Sequence, residues 1–292
     1  MTIDQRIIDL FDAYTHSRMD RRAFIERLAL LTGSVAAAMT ILPMLGPNYA
    51  LGAIVPPDDS RLDIKAITFK GATGEVKAYQ AKPKGAAGKL PAVIVIHENR
   101  GINPHIEDVT RRMALEGFLA VAVDSLSPVG GTPANEEQAR KAFADLDKTK
   151  QTADLVAMVK FLKTHPEANG KVGAVGFCAG GTAVNQLAIH SPDLDAAVPY
   201  YGRVPAPEDV AKIRAPIMAH YGSLDKSVNE GIPSYEAALK KFNKTYTFHI
   251  YEGAQHSFNS DASKDRYHKP SADLAWKRTV EFFKTNLKSG PA

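Results

Sequence analysis

Residues 171–185, KVGAVGFCAGGTAVN, constrain the fold more than any other stretch, because they place the only cysteine between a strand and a helix. The apolar run that ends at Phe177 is typical of a fully buried strand. The apolar residues 182–189 predict a helix, and Cys178 lies between the two at a tight turn. This order of strand, turn and helix is typical of a parallel sheet covered by helices.

Residues 176–180 have the pattern G-x-C-x-G, the thiol form of the nucleophile elbow. The apex residue of such a turn adopts a strained backbone conformation, and Gly176 and Gly180 let strand and helix approach closely. The helix N-terminus favours a thiolate and an adjacent oxyanion. We therefore interpret Cys178 as a nucleophile, although most lone cysteines are small buried hydrophobic residues.

Gly173, Gly176 and Gly180 also form a loose version of a dinucleotide-binding loop. That motif needs an acidic residue at the end of the next strand. Here Asp193 and Asp195 precede the next strand instead, so the pattern disfavours a dinucleotide cofactor.

Composition excludes several classes of partner. The chain has 292 residues, 45% of them hydrophobic, and a net charge of +4, with no basic cluster interleaved with aromatics. We therefore expect no nucleic-acid partner. A single cysteine excludes an internal disulfide and a cysteine-based zinc cage. The remaining metal-ligand candidates match no zinc template, so we expect no metal and no other cofactor: His97, His105, His220 and His249.

The N-terminal segment, residues 1–53, has the layout of a twin-arginine export signal. Arg21 and Arg22 precede the uncharged apolar residues 28–45, and residues 48–50 (NYA) are a candidate cleavage site. This interpretation predicts a periplasmic protein without a stable membrane span in its mature form. Asp20 and Glu26 depart from the usual motif. The alternative is an N-terminal helical hairpin, beginning with an amphipathic helix in residues 1–19, that packs on the domain or on a partner.

Residues 54–62 form a predicted linker, and residues 63–292 a predicted domain in which strands alternate with helices. Two strands flanking a GATG turn predict a hairpin, and the later strands predict a mostly parallel central sheet with helices on both faces. The predicted strands are 64–69, 76–81, 92–96, 119–123, 172–177, 196–201, 216–221 and 246–251. The predicted helices are 105–116, 135–164 with a break near 145–148, 230–242 and 272–287.

Catalytic groups of such folds lie at the carboxyl ends of strands. Cys178, Asp225 and His256 each follow a predicted strand, in the chain order nucleophile, acid and histidine of α/β-hydrolases. The thiolate would attack, the imidazole would accept and return a proton, and the carboxylate would orient the imidazole. The backbone N–H groups of Ala179 and Asn99 are the expected oxyanion hole.

Residues 60–290 resemble the dienelactone hydrolase (carboxymethylenebutenolidase) family. The motifs that carry the resemblance are HENRG at 97–101, GFCAGG at 176–181, YGSLD at 221–225 and GAQHSF at 253–258. The resemblance implies an α/β-hydrolase fold and hydrolysis of an ester or lactone through a thioester on Cys178. It also implies that Glu98 lies beside the thiol and controls its ionisation. The alternative is that Glu98 is a loop carboxylate paired with Arg100.

One position departs from the family pattern. Typical members carry an arginine soon after the catalytic histidine that holds a substrate carboxylate, whereas this chain has Ser260, preceded by Asn259. Neither side chain replaces a bidentate guanidinium, so we expect neutral or weakly acidic substrates to be preferred. The cations considered as substitutes are Arg266, Arg203 and Lys226.

Tyr200, Tyr201 and Phe258 are the expected pocket residues, with ordinary core packing as the alternative. Two other functions remain open for the domain. One is a broader carboxylesterase or thioesterase. The other is a non-catalytic thiol sensor or binding module on the same fold, which would need a reactive thiol but no histidine oriented by an acid.

Overall fold

A mixed eight-stranded sheet organises the chain in the computed structural model, which describes residues 3–16, 19–45 and 53–288. The strands are β1 (Leu62–Lys70), β2 (Glu75–Pro83), β3 (Leu90–Ile96), β4 (Leu119–Val123), β5 (Ala168–Phe177), β6 (Ala196–Tyr200), β7 (Ile217–Gly222) and β8 (Tyr246–Tyr251). Their order is β1-β2-β4-β3-β5-β6-β7-β8. The hairpin β1–β2 is antiparallel, β2 pairs antiparallel with β4, and the other six strands run parallel.

Helices cover both faces of the sheet. They are α1 (Gln5–His16), α2 (Arg21–Thr32), α3 (Val35–Leu45), α4 (Pro104–Leu115), α5 (Glu136–Asp145), α6 (Lys148–Lys163), α7 (Ala179–His190), α8 (Lys226–Asn229), α9 (Ile232–Lys241) and α10 (Lys269–Asn286). One face packs against α6, α7 and α9, and the other against α4 and α10. The predicted α/β architecture is confirmed.

Strand β3 shows how the sheet acquires two cores. Ile94 and Ile96 belong to the core under α6 and α7, whereas Val93 and Val95 belong to the core under α4 and α10. All four are fully buried, because alternate residues of a central parallel strand face opposite layers. This explains why the sequence of the strand is continuously apolar.

The structure refines two predicted helices. The predicted break near 145–148 is confirmed, and it falls where Asp147 caps α6 by accepting hydrogen bonds from the N–H groups of Thr149 and Lys150. The helix predicted over 230–242 is confirmed as α9, and the short helix α8 that precedes it was not predicted. Asp225 caps the short α8, and Gly231 precedes α9.

The N-terminal helices α1, α2 and α3 form a small apolar core of their own. Phe24 and Leu28 are fully buried, and the ring of Tyr14 stacks on that of Phe24 at 4.3 Å between centroids. Asp20, an unusual residue for an export motif, is the N-cap of α2 and accepts a hydrogen bond from the N–H of Ala23. A helical hairpin packed on the domain, the alternative interpretation of this segment, accounts for these contacts.

Among the described residues, no single helix is long and apolar enough to cross a membrane. Arg21–Thr32 and Val35–Leu42 meet the length and hydropathy criteria only together, and they are bent by 108°. The candidate cleavage site at residues 48–50 lies outside the described residues.

The predicted linker, residues 54–62, is anchored to α4. The N–H of Val55 donates to Asp108 Oδ1 at 2.7 Å, and its carbonyl accepts from Arg111 Nε at 2.8 Å. Because both partners are buried, these bonds hold the described part of the segment before β1 against the domain.

Candidate active site

Cys178 lies at the apex of the turn between β5 and α7 with φ 55° and ψ −114°. The predicted strain is confirmed, since a non-glycine residue rarely adopts positive φ. An added Cβ at Gly176 would lie 2.3 Å from the carbonyl oxygen of Gly180, and one at Gly180 would lie 2.2 Å from that of Ile96. Two of the three glycines that resembled a dinucleotide loop, Gly176 and Gly180, therefore serve close packing around the elbow.

Asp225 and His256, which follow β7 and β8, are in direct contact. His256 Nδ1 lies 2.6 Å from Asp225 Oδ2, and both side chains are buried. Burial opposes ionisation of Asp225, but the hydrogen bond and charge of His256 outweigh it and hold the pKa of that carboxyl below its usual value. The carboxylate therefore orients the imidazole and fixes its tautomer.

Cys178, which follows β5, completes the arrangement. Burial opposes protonation of His256, but the negative charge of Cys178 and the bond to Asp225 outweigh it, and they raise the pKa of His256 well above its ordinary value. A hydrogen bond between His256 and Cys178 contributes in the same direction. This environment favours a thiolate–imidazolium pair.

Glu98 is buried in a small pocket that also contains Cys178. Its backbone is held by the preceding residue: His97 Nδ1 donates to the Glu98 carbonyl at 2.5 Å, while His97 Nε2 accepts from the N–H of Ser125 at 3.1 Å. Arg100 Nε lies 3.3 Å from Glu136 Oε2, so this arginine pairs with Glu136 rather than with Glu98. The alternative that Glu98 is a loop carboxylate paired with Arg100 is wrong.

A larger cavity of about 680 Å³ opens onto the same thiol. It brings together six of the residues that the sequence singled out: Cys178, Asp225, His256, Ala179, Asn99 and Tyr201. Ala179 is the first residue of α7, and Asn99 follows β3, as the oxyanion-hole prediction requires. Both predicted oxyanion residues thus border the space beside the nucleophile.

Two of the three predicted pocket aromatics lie behind the site instead of lining either pocket. Tyr200 is fully buried, and its hydroxyl shares a 2.7 Å hydrogen bond with Thr279 Oγ1. Phe258 is also fully buried and packs on Tyr201 at 5.6 Å and on Tyr251 at 5.1 Å between centroids. Tyr200 is the last residue of β6 and packs in the core under α4 and α10, and of the three predicted aromatics only Tyr201 lines the cavity.

One wall of the larger cavity comes from α1, which the sequence analysis did not connect with the site. The contributing residues are Gln5, Asp9, Asp12, Ala13 and Thr15. Most recur at helical spacing and form the polar face of α1, while its apolar face packs in the N-terminal core. Amphipathicity predicts such a helix but does not specify what its polar face contacts.

The cavity contains several cations as well. Arg203 and Lys226, which the sequence suggested as substitutes for the family's arginine, line it. Arg140 and Lys148 also line it and were not predicted from the sequence. Burial lowers the pKa of Lys148 to about 8. Ser260, at the family's arginine position, is buried and lines neither pocket described around Cys178.

Comparison with protein families gives two matches. Residues 76–287 match the model of the dienelactone hydrolase family, and residues 1–34 match a model described as YqhI-like. The chain belongs to the dienelactone hydrolase family. The match begins within β2, so α1, α2 and α3 lie outside it.

Similar proteins support this assignment over most of their length. The chain is 34% identical over 222 residues to a "Putative carboxymethylenebutenolidase" of Escherichia coli O157:H7, covering 71% of this chain and 81% of that protein. It is 32% identical to a "Probable 2-oxo-3-(5-oxofuran-2-ylidene)propanoate lactonase" of Bradyrhizobium sp, covering 74% and 92%. A solved putative dienelactone hydrolase from Klebsiella pneumoniae superposes with a TM-score of 0.70 at 28% identity, covering 76% and 98%.

Proposed function

We propose that this protein hydrolyses esters or lactones through a thioester formed on Cys178, with His256 as the proton carrier and Asp225 as its orienting partner. One observation carries the proposal: three strand ends bring a thiol at a strained apex and a 2.6 Å histidine–aspartate pair into one cavity. The names of the similar proteins support a lactone as substrate.

In the acylation step, the Cys178 thiolate attacks the carbonyl carbon and forms the S–C bond. Negative charge moves to the carbonyl oxygen, where the N–H groups of Ala179 and Asn99 would stabilise it. Collapse of this intermediate breaks the bond to the leaving oxygen, which takes the proton from His256. For a lactone, the leaving oxygen stays attached to the acyl group.

In the deacylation step, neutral His256 accepts a proton from water, and the resulting hydroxide equivalent attacks the thioester carbon. The S–C bond then breaks, the carboxylic acid leaves, and the thiolate–imidazolium pair is restored. Glu98, which lines the small pocket with the thiol, would partly offset this stabilisation of the thiolate by charge repulsion until a substrate is bound.

A thiol sensor would retain the strained cysteine but would not need the His256–Asp225 bond. The presence of that bond therefore favours turnover over sensing. A broader carboxylesterase or thioesterase uses the same chemistry and differs only in the acyl and leaving groups that the cavity accepts.

A substrate panel tests the proposal. Purified full-length protein is assayed with p-nitrophenyl esters, acyl thioesters and small lactones, alongside Cys178→Ala and Cys178→Ser. We expect hydrolysis by the wild type and a loss of about 10⁴- to 10⁶-fold in Cys178→Ala, the range seen for removal of a nucleophile. Near wild-type activity in folded Cys178→Ala would overturn the assignment.

A further inference from the structure

Asp12, on the polar face of α1, forms a close ion pair with Arg266, in the loop after the proposed catalytic histidine. Asp12 Oδ1 lies 2.5 Å from Arg266 Nη1, and the guanidinium also stacks over the ring of Phe11 at 5.1 Å. The Arg266 side chain is only 9% exposed. Such a pair is better ordered than a surface salt bridge, because both its charge partner and its stacking partner are fixed.

Arg266 lies in the small pocket that contains Cys178 and Glu98. Its Nη2 is buried and makes no hydrogen bond within the part of the chain that the structure describes. Buried polar groups are nearly always hydrogen-bonded, so this donor is placed to receive a further oxygen beside the thiol. A guanidinium presents two parallel donors that match the two oxygens of a carboxylate.

Asp12 itself lines the larger cavity, so the ion pair lies between the two pockets that share Cys178. The carboxylate that faces Arg266 is therefore supplied by the protein. A substrate carboxylate entering beside the thiol would have to displace Asp12 or bind next to its negative charge.

We propose that Asp12 is a specificity-determining residue that occupies Arg266 in place of a substrate carboxylate, and so directs the site towards neutral esters and lactones. The inference rests on the proposed function, since it concerns the substrates of that same thiol. It assigns a role to α1, which lies outside the residues matched by the dienelactone hydrolase model.

The other cations near the cavity make different contacts. Arg140 stacks over the Tyr14 ring at 4.2 Å, and Lys148 Nζ donates to the Phe143 carbonyl at 2.6 Å. Both line the larger cavity, whereas Arg266 lies in the small pocket with Cys178 and Glu98. Arg100 also lines the small pocket, but its Nε pairs with Glu136 Oε2 at 3.3 Å. Releasing Arg266 from Asp12 would therefore change the surroundings of the thiol most directly.

The test compares full-length wild type with Asp12→Asn on a carboxymethylene butenolide and its primary amide, which differ by one negative charge. We expect Asp12→Asn to raise the kcat/KM ratio of acid to amide about 10- to 100-fold, the range of one charged hydrogen bond. Asp9→Asn removes the same charge from the same helix face without touching Arg266, and should change the ratio less than about 3-fold. The double variant Asp12→Asn/Arg266→Gln should lose the gain.

A binding measurement separates this inference from the proposed function. Calorimetric titration with crotonate, and with crotonamide as the neutral match, requires no turnover. We expect Asp12→Asn to bind crotonate about 10-fold or more tightly than wild type does, with crotonamide unchanged. An unchanged ratio and unchanged crotonate affinity in folded Asp12→Asn would overturn the inference, as would a gain that persists in the double variant. Asp12→Ser serves as the second variant if Asp12→Asn does not fold.

Discussion

Asn99 Nδ2 donates a hydrogen bond of 2.6 Å to the main-chain carbonyl of Thr15, near the C-terminal end of α1. This bond ties the N-terminal helix to the loop after β3, from which we expect one of the two oxyanion N–H groups. A hydrogen bond therefore joins the α1 wall of the cavity to the loop after β3.

Asn99→Ala should destabilise the protein by about 1–3 kcal/mol, because it removes the donor from a buried carbonyl. It should also raise amide exchange over residues 5–16. Urea unfolding and native-state hydrogen exchange measure the two effects. Asn229→Ala removes a similar 2.8 Å bond to the Gly222 carbonyl, which does not involve α1, and should not change exchange in α1. Unaltered α1 exchange in Asn99→Ala would show that the bond does not hold the helix.

Asp225→Asn should move the alkaline limb of the kcat/KM profile to lower pH. Asp225 helps to raise the pKa of His256, and the imidazolium is the proposed proton donor to the leaving group. Deprotonation of the imidazolium should therefore limit activity above that pKa. The rate should also fall by about 10²- to 10⁴-fold. Ser227→Ala, which removes only a 3.3 Å bond to the other Asp225 oxygen, is the matched control. An alkaline limb that stays in place would contradict the proposed role of Asp225.

The elbow and the three strand-end residues were predictable because each belongs to a short local motif. The elbow pattern specifies its own backbone, and the carboxyl ends of parallel strands meet at one edge. The predictions that failed concern contacts between residues far apart in the sequence. Nothing in the sequence near Tyr200 or Phe258 tells whether a ring faces the cavity or the core, and nothing in α1 specifies Arg266 or Asn99 as partners. The short helix α8 was not predicted, because it depends on Asp225 serving as a cap as well as a histidine partner.

The protein should lose stability between pH 6.5 and 5.5. Burial lowers the pKa of His97 and lowers that of His220 well below the usual value. Both imidazoles therefore stay neutral in the folded protein at a pH where they bind protons in the unfolded chain. Each such histidine lowers the unfolding free energy by about 1 kcal/mol between these two pH values. His256, with its raised pKa, stays protonated when folded and opposes this loss only weakly, because the unfolded imidazole also becomes protonated below about pH 6.5.

Urea unfolding at the two pH values measures this loss, and His220→Gln should reduce it by about 1 kcal/mol. His220 bonds to the Tyr251 hydroxyl at 2.9 Å and to Thr279 Oγ1 at 3.0 Å. The exposed His190→Gln is the control for loss of a histidine at the surface. An equal loss in His220→Gln would contradict the assignment of a buried neutral imidazole.

We propose that Arg21 and Arg22 form a twin-arginine export pair, as the sequence predicts, on a chain that keeps its N-terminal helices, because the role proposed for Asp12 depends on α1. A reporter fused to residues 1–55 should be exported only when both arginines are present, and replacement of the pair by lysines is the control. The intact mass of the exported full-length protein shows whether cleavage follows residue 50. The Asp12–Arg266 pair requires an uncleaved chain. A reporter that is never exported would contradict the signal and leave the N-terminal helices as a structural part of the enzyme.

The central claim is that a covalent thioester forms on Cys178. Wild-type protein is mixed with an activated p-nitrophenyl ester, quenched with acid within milliseconds to seconds, and analysed by intact and peptide mass spectrometry. The account predicts a mass increase equal to the acyl group, located on the peptide that contains Cys178 and absent from Cys178→Ala. Turnover without any adduct on that peptide, or an acyl group on another residue with activity retained in Cys178→Ala, would contradict it.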